Sequence, residues 1–162
     1  MHEPYEIKPI AQEDNAALAK IIRTTLEEFG ANHPGTVYND ASTDALYELF
    51  QTTGALYNVA WQNGNIVGGG GIYPTNGLPQ GTCELVKMYL CKSARNIGLG
   101  SKLIALCIDQ ARAMGYQQIY LETMPELKQA LKRYEKFGFT YLSAPMGNSG
   151  HFGCDLWMIK QL

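Results

Sequence analysis

The stretch Glu84–Lys102 holds the residues best placed to do chemistry. It reads Glu-Leu-Val-Lys-Met-Tyr-Leu-Cys-Lys-Ser-Ala-Arg-Asn-Ile-Gly-Leu-Gly-Ser-Lys. A strand pattern runs into a turn, and Gly98 and Gly100 stand where a helix opens. The first N–H groups of a helix lack partners within it, and the helix dipole favours negative charge there, so this junction is an anion site. Glycines let a phosphate come close to the backbone. Neither common nucleotide fingerprint fits. A P-loop needs Lys-Ser/Thr after its glycine, and Ser101-Lys102 come in the opposite order and at the wrong spacing. A dinucleotide loop needs a small residue where Leu103 stands.

The cysteines and histidines offer less. Cys83, Cys91, Cys107 and Cys154 form no CxxC pair, so no metal site is expected. Cys107 lies in an apolar helical stretch and no export signal is visible, which favours reduced thiols and a cytoplasmic protein. His151 and Cys154 share the glycine-rich stretch 147–154. That stretch reads either as a hairpin with a buried thiol or as the border of a binding site. No partner that would orient a Cys–His nucleophile is indicated.

The elements that position these residues follow from periodicity. Tyr5–Ile10 suits an edge strand, limited by Pro4 and Pro9. Leu18, Ile21, Ile22, Leu26 and Phe29 recur at helical spacing until Gly30. Residues 32–40 read as loop, and Ser42 or Thr43 as the cap of a second helix with Leu46, Leu49 and Phe50. Leu56–Trp61 and Ile66–Tyr73 are strands joined through Asn63-Gly64, a hairpin signal. The second contains Gly68 to Gly71, which marks either a packing bulge or the close approach of a backbone or ligand. Thr82–Cys91 is a strand, Leu99–Met114 a helix and Gln118–Thr123 a strand. Leu127, Ala130, Leu131, Tyr134 and Phe137 define a further helix, and Phe139–Leu142 and Phe152–Ile159 the last strands. The order βααβββαβαββ, without repeat or linker, predicts one α/β (α+β) domain over residues 1–162.

At this point the sequence resembles the GNAT superfamily of acyl-CoA-dependent N-acetyltransferases. Arg95, Gly98 and Gly100 match the family's Gln/Arg-x-x-Gly-x-Gly/Ala loop, between a matching strand and a matching helix. Tyr134 to Phe139 matches its Tyr-x-x-x-Gly-Phe, with Ala130 at the small position before it. The resemblance implies the GNAT fold, with a mixed sheet of about six to seven strands flanked by about four helices. It implies acetyl-CoA as co-substrate and no metal. The loop Arg95, Asn96, Ile97, Gly98, Leu99, Gly100, Ser101 and Lys102 would hold the pyrophosphate. Met88, Tyr89 and Leu90 would pair with the pantetheine arm on a strand that splays from its neighbour, with one N–H polarising the thioester carbonyl. The family often places an Asn seven residues before the Tyr; here that position is Leu127, and Thr123 is the substitute polar contact. Tyr134 is the expected acid toward the CoA sulfur and Glu84 the expected base. Phe29, Tyr38 and His151 are the expected acceptor contacts. The implied reaction is direct attack by a primary amine in a ternary complex. A non-catalytic acyl-CoA sensor is the alternative, and it would need neither Glu84 nor Tyr134.

Charge bounds the partners. The formal net charge is −2, but residues 1–84 carry ten acids and three bases, and residues 85–162 ten bases and five acids. The acid-free run 85–108, with Lys87, Lys92, Arg95 and Lys102, suits a small anion rather than nucleic acid. The longest apolar runs are too short for a membrane span. The acid-rich first half points to a small cationic or amphipathic amine, with a peptide N-terminus or a protein Lys also open; a homodimer is left open as well.

Overall fold

The computed structural model describes residues 5–162, so Pro4, expected to limit the first strand, lies outside the described residues. The strands are β1 (Glu6–Pro9), β2 (Leu56–Gln62), β3 (Asn65–Tyr73), β4 (Thr82–Leu90), β5 (Gln118–Thr123), β6 (Thr140–Leu142) and β7 (Leu156–Gln161). The helices are α1 (Asn15–Glu28), α2 (Leu46–Leu49), α3 (Leu99–Ala113) and α4 (Lys128–Lys136). Their order is the one the periodicity predicts. They build a seven-stranded sheet, β1-β2-β3-β4-β5-β7-β6. All neighbours are antiparallel except β4 and β5, which are parallel and joined through α3.

Strand alternation sorts β2 between two faces. Tyr57 and Val59 pack with Leu18, Ile22 and Leu26 of α1. Ala60 packs with Leu99 and Leu103 of α3. Asn58, on the α3 side, exchanges amide hydrogen bonds with Gln110 at 2.9 and 3.0 Å, which satisfies the buried Asn58 amide. Each aliphatic side chain buried this way contributes about 1.5–3 kcal/mol.

Three segments differ from expectation. The second helix shrinks to one turn. Thr43 does not cap it but donates to Val37 O at 2.8 Å, and Asn15 Oδ1 accepts from Tyr47 N instead, also at 2.8 Å. The last strand starts at Leu156 rather than Phe152. Residues 148–153 are tied elsewhere: Gly153 N donates to Gly35 O at 2.8 Å, and a side chain on Gly153 would overlap Pro34 O. Phe152 is 81% exposed, with its ring against Gly35. The β6 strand starts at Thr140, because Phe139 closes the turn after α4 through its N–H to Tyr134 O.

The glycine run in β3 accommodates neighbours. A Cβ on Gly69 or Gly71 would strike the Tyr57 ring, and one on Gly70 would strike Met88. Opposite this run β4 bulges. Gly69 pairs with Tyr89 but Gly71 with Val86, so β4 carries one extra residue. At the bulge Lys87 has φ 52°, in the left-handed region. The Tyr57 hydroxyl crosses the glycines and donates to Lys87 O at 2.7 Å, which holds the bulge.

Candidate active site

Strands β4 and β5 pair only at Thr82–Gln118, Cys83–Ile119 and Glu84–Tyr120. Beyond Glu84 they part, and a cavity opens between them. Residues 85–90 line one wall and 121–124 the other. The edge of β4 facing this gap is left without a strand partner, so its backbone groups are available to an extended ligand. This is the splay expected of Met88, Tyr89 and Leu90.

The cavity leads to the N-terminus of α3. Asn96 and Gly98 have φ 65° and 82°, and Gly98 is the N-cap. The first helical bond of α3 is Lys102 N to Gly98 O, so the amides of Leu99, Gly100 and Ser101 have no helical acceptor. A Cβ on Gly100 would lie 2.7 Å from Arg133 Nη1. Arg133, on α4, therefore lies against this helix start and lines the cavity. No motif pointed to it, since it is one of several basic residues on α4.

Arg95 is placed differently from the other motif residues. Its guanidinium donates to Glu28 at 2.6 and 3.0 Å and to Leu90 O at 3.0 and 3.1 Å. It also lies 5.0 Å from the centre of the Phe29 ring. Its side chain clamps the end of α1 to the end of β4, and Phe29 borders the cavity beneath it.

Glu84 stands at the apex of the gap, 3% exposed. Thr75 Oγ1 donates to its Oε1 at 2.6 Å. Burial, reinforced by the neighbouring Glu122 carboxylate, pushes its carboxyl up to about 7, while the Thr75 hydrogen bond pulls the other way. Glu122 accepts from Tyr120 Oη at 2.8 Å and from the Ser149 hydroxyl. His151 Nε2 lies 3.0 Å from Asp40 Oδ2, and its Nδ1 lies 3.7 Å from Glu122 Oε1. Both ring nitrogens thus face carboxylates, Nε2 toward Asp40 and Nδ1 toward Glu122. Asp40 is held well below the ordinary carboxyl range, first by His151 and against its burial. One ligand atom each from Glu84, Glu122 and His151 lies within 4.8 Å of the others. Among the described residues this is the one cluster of such spacing.

On α4, Tyr134 is 7% exposed, lines the cavity and meets Phe139 edge-on at 5.8 Å. That contact, with the turn through Gly138 at φ 90°, accounts for the Tyr-x-x-x-Gly-Phe spacing. Its hydroxyl has no hydrogen-bond partner among the described residues. Burial pushes it up to about 12, so it keeps its proton at neutral pH.

The structure thus gathers Glu84, Met88, Tyr89, Leu90, Arg95, Gly100, Thr123, Tyr134, Phe29 and His151 around one cavity. Asn96, Ile97, Gly98, Leu99, Ser101 and Lys102 lie on the loop and helix start at its mouth. Tyr38 stands apart, its hydroxyl donating to Glu27 Oε2 at 2.7 Å. Asp40, Glu122 and Ser149 join the site without having been singled out, and Lys87 joins it in a role other than the one read from its charge. Only a contact across the fold identifies them. Lys87 also corrects the charge reading. It was grouped with the cations beside the anion site, but the bulge turns it toward Asp40, 3.8 Å away. Cys154, beside His151 in the sequence, is buried and its thiol is pushed up to about 12; the ring faces carboxylates instead. The four cysteines are unpaired.

Strands β4 and β5 thus split beside the glycine-opened start of α3, with Glu84 and Tyr134 both lining the gap. Comparison with known proteins defines the class. The model of the acetyltransferase (GNAT) family matches residues 18–139. The sequence is 37% identical over 157 residues to YjgM of Escherichia coli (strain K12), an uncharacterized N-acetyltransferase, covering 96% of this chain and 94% of that protein. A GNAT-family acetyltransferase from Staphylococcus aureus Mu50 superposes with a TM-score of 0.85 at 20% identity, over 97% of this chain and 98% of that one. YncA of Salmonella typhimurium, solved with acetyl-CoA, superposes with a TM-score of 0.74 at 25% identity, over 98% and 94%. The chain belongs to the GNAT acetyltransferase family. Among the described residues no helix is long and apolar enough to cross a membrane.

Proposed function

We propose that this protein acetylates a primary amine by direct attack in a ternary complex with acetyl-CoA. The observation that carries this reading is the placement of Glu84 and Tyr134 on one cavity, entered past the start of α3. Bound acetyl-CoA supplies an activated acyl carbon. The unpaired amides of Leu99, Gly100 and Ser101, with Arg133 beside them, suit a pyrophosphate. The free edge of β4 suits an extended pantetheine arm, and an N–H there facing the carbonyl would be worth about 3–4 kcal/mol in the transition state. An ammonium has no lone pair, so the acceptor must lose a proton first. Glu84, poised near neutrality, takes it directly or through water. Tyr134 holds a proton it can give to a departing thiolate.

The gap between β4 and β5 suits this co-substrate on its own geometry, since among the described residues nothing fills its helix-start amides or its strand edge. The test is release of free thiol from acetyl-CoA across a panel of amines. Tight CoA binding with no release above background for any amine would overturn the enzyme reading and leave a CoA sensor.

A further inference from the structure

Lys87 is the feature that amine acetylation leaves unexplained. Its side chain is 4% exposed and lines the cavity. Its single ion-pair partner among the described residues is Asp40 Oδ2, at 3.8 Å, beyond hydrogen-bond reach. Asp40 is already committed: Oδ2 to His151, and Oδ1 to Ser42 N and Oγ at 3.0 and 2.8 Å. An ammonium with three donors and no acceptor is costly to bury. The backbone makes a further concession to keep it there, because Lys87 has φ 52° in the middle of a strand, where a side chain is unfavourable. On a regular strand, residues three apart point to opposite faces. The extra residue at the bulge brings Lys87 to the same side as Glu84.

Next to this cation is a cradle for another. Glu84 and Glu122 present carboxylate oxygens with His151 Nδ1 beside them, all within 4.8 Å, a span over which one ammonium reaches both acids. Asp40 stands between cradle and lysine, 3.0 Å from the His151 ring and 3.8 Å from Lys87 Nζ. The site therefore offers a place for a positive group and, one carboxylate away, an unfilled place for a negative one.

We infer that the acceptor is a small amino acid-like zwitterion, its amine held by Glu84 and Glu122 beside His151 and its carboxylate by Lys87. This rests on the amine-acetylation reading and specifies the acceptor within it. It replaces the simple cation suggested by the charge of the first half.

The experiment measures kcat/KM for matched pairs: α-amino acids, their carboxamides, and the corresponding amines without the carboxyl group. The expected result is that the acids are preferred about 10²-fold or more, because only they bring a carboxylate to the buried Lys87, whose Asp40 partner stays at 3.8 Å. In Lys87→Met the ratio of acid to amide falls toward one, while the KM for acetyl-CoA holds. A wild-type ratio near one, or a preference for the carboxylate-free amines, overturns the inference but not amine acetylation, and needs no variant to fold. A Lys87→Met variant that keeps the preference, or raises the KM for acetyl-CoA instead, also overturns it. Failure to acetylate any member, with thiol release from another amine of the wider panel, overturns the inference alone; no release from any amine removes both readings.

Discussion

Glu84→Gln should separate stability from activity, and the separation should depend on pH in a defined way. A carboxyl moved from its ordinary 4.5 to about 7 binds its proton more tightly in the folded chain than in the unfolded one. Below pH 4.5 both states are protonated and Glu84 adds no pH dependence. As pH rises from 4.5 to about 7, the unfolded chain ionises first and the wild type loses stability. Above about 7 the loss is complete. At 1.36 kcal/mol per pH unit, it amounts to about 3 kcal/mol. Glutamine mimics the protonated acid, and its amide oxygen still accepts from Thr75, so the variant does not share this loss. Urea unfolding of both proteins at several pH values should show nearly equal stability near pH 4.5. By pH 8 the variant should lead by about 3 kcal/mol, a midpoint shift of roughly 1–1.5 M. Over the same range kcat/KM of the variant should be lower by about 10²–10⁴. A stability gap that does not change with pH, or a wild type that gains on the variant between pH 5 and 7, would refute the assignment of a strained, proton-hungry base to this position.

Three further outcomes follow from neighbouring groups. Thr75→Val removes the hydrogen bond that favours ionised Glu84, so the alkaline-rising limb of the kcat/KM–pH profile should move to higher pH; a limb that stays put would detach Thr75 from the base. Tyr134→Phe should cut turnover by about 10² with CoA affinity preserved, as measured by thiol release and calorimetry, and unchanged turnover would remove it as the acid. Gly98→Glu places a carboxylate and a strained φ at the start of α3, where a Cβ meets nothing within 4 Å; CoA affinity should collapse while the thermal midpoint falls only a few degrees, and surviving affinity would move the phosphate site elsewhere.

What could be read from the sequence was local. The Gly98/Gly100 junction announces itself because a helix start and its glycines are adjacent in the chain. The same holds for the contact of Tyr134 with Phe139, made across a single turn. Element order was equally legible, since each helix and strand writes its own period. The second helix and the last strand were not, because tertiary contacts decided them: Asn15 caps a turn from 32 residues away, while Asn148 bonds to Asn76, His151 to Asp40 and Gly153 to Gly35. The acceptor side was least legible of all. His151, flagged by its glycine-rich stretch, meets Asp40 across a sequence separation of 111 residues, and neither Asp40 nor Glu122 carries a local signature. Lys87 was visible as a charge but not as a direction, which depends on a bulge set by Tyr57 and the glycines of β3. Arg95 kept its motif position, yet its side chain braces α1.

The short pairing of β4 with β5 has a mechanical consequence. Three residue pairs are all that stitch the sheet between β1–β4 on one side and β5, β7 and β6 on the other. An extended ligand bonded to the free edge of β4 and packed on β5 acts as an extra, removable strand across that seam. Occupancy then does more than fill a pocket. It couples two half-sheets whose relative motion is otherwise restrained by helix packing, and the linked stabilisation grows as RT ln(1 + [L]/Kd), about 2.7 kcal/mol at a hundredfold excess over Kd. On the proposed reading, the donor-loaded state is the one in which this seam is bridged beside Glu84, at its root.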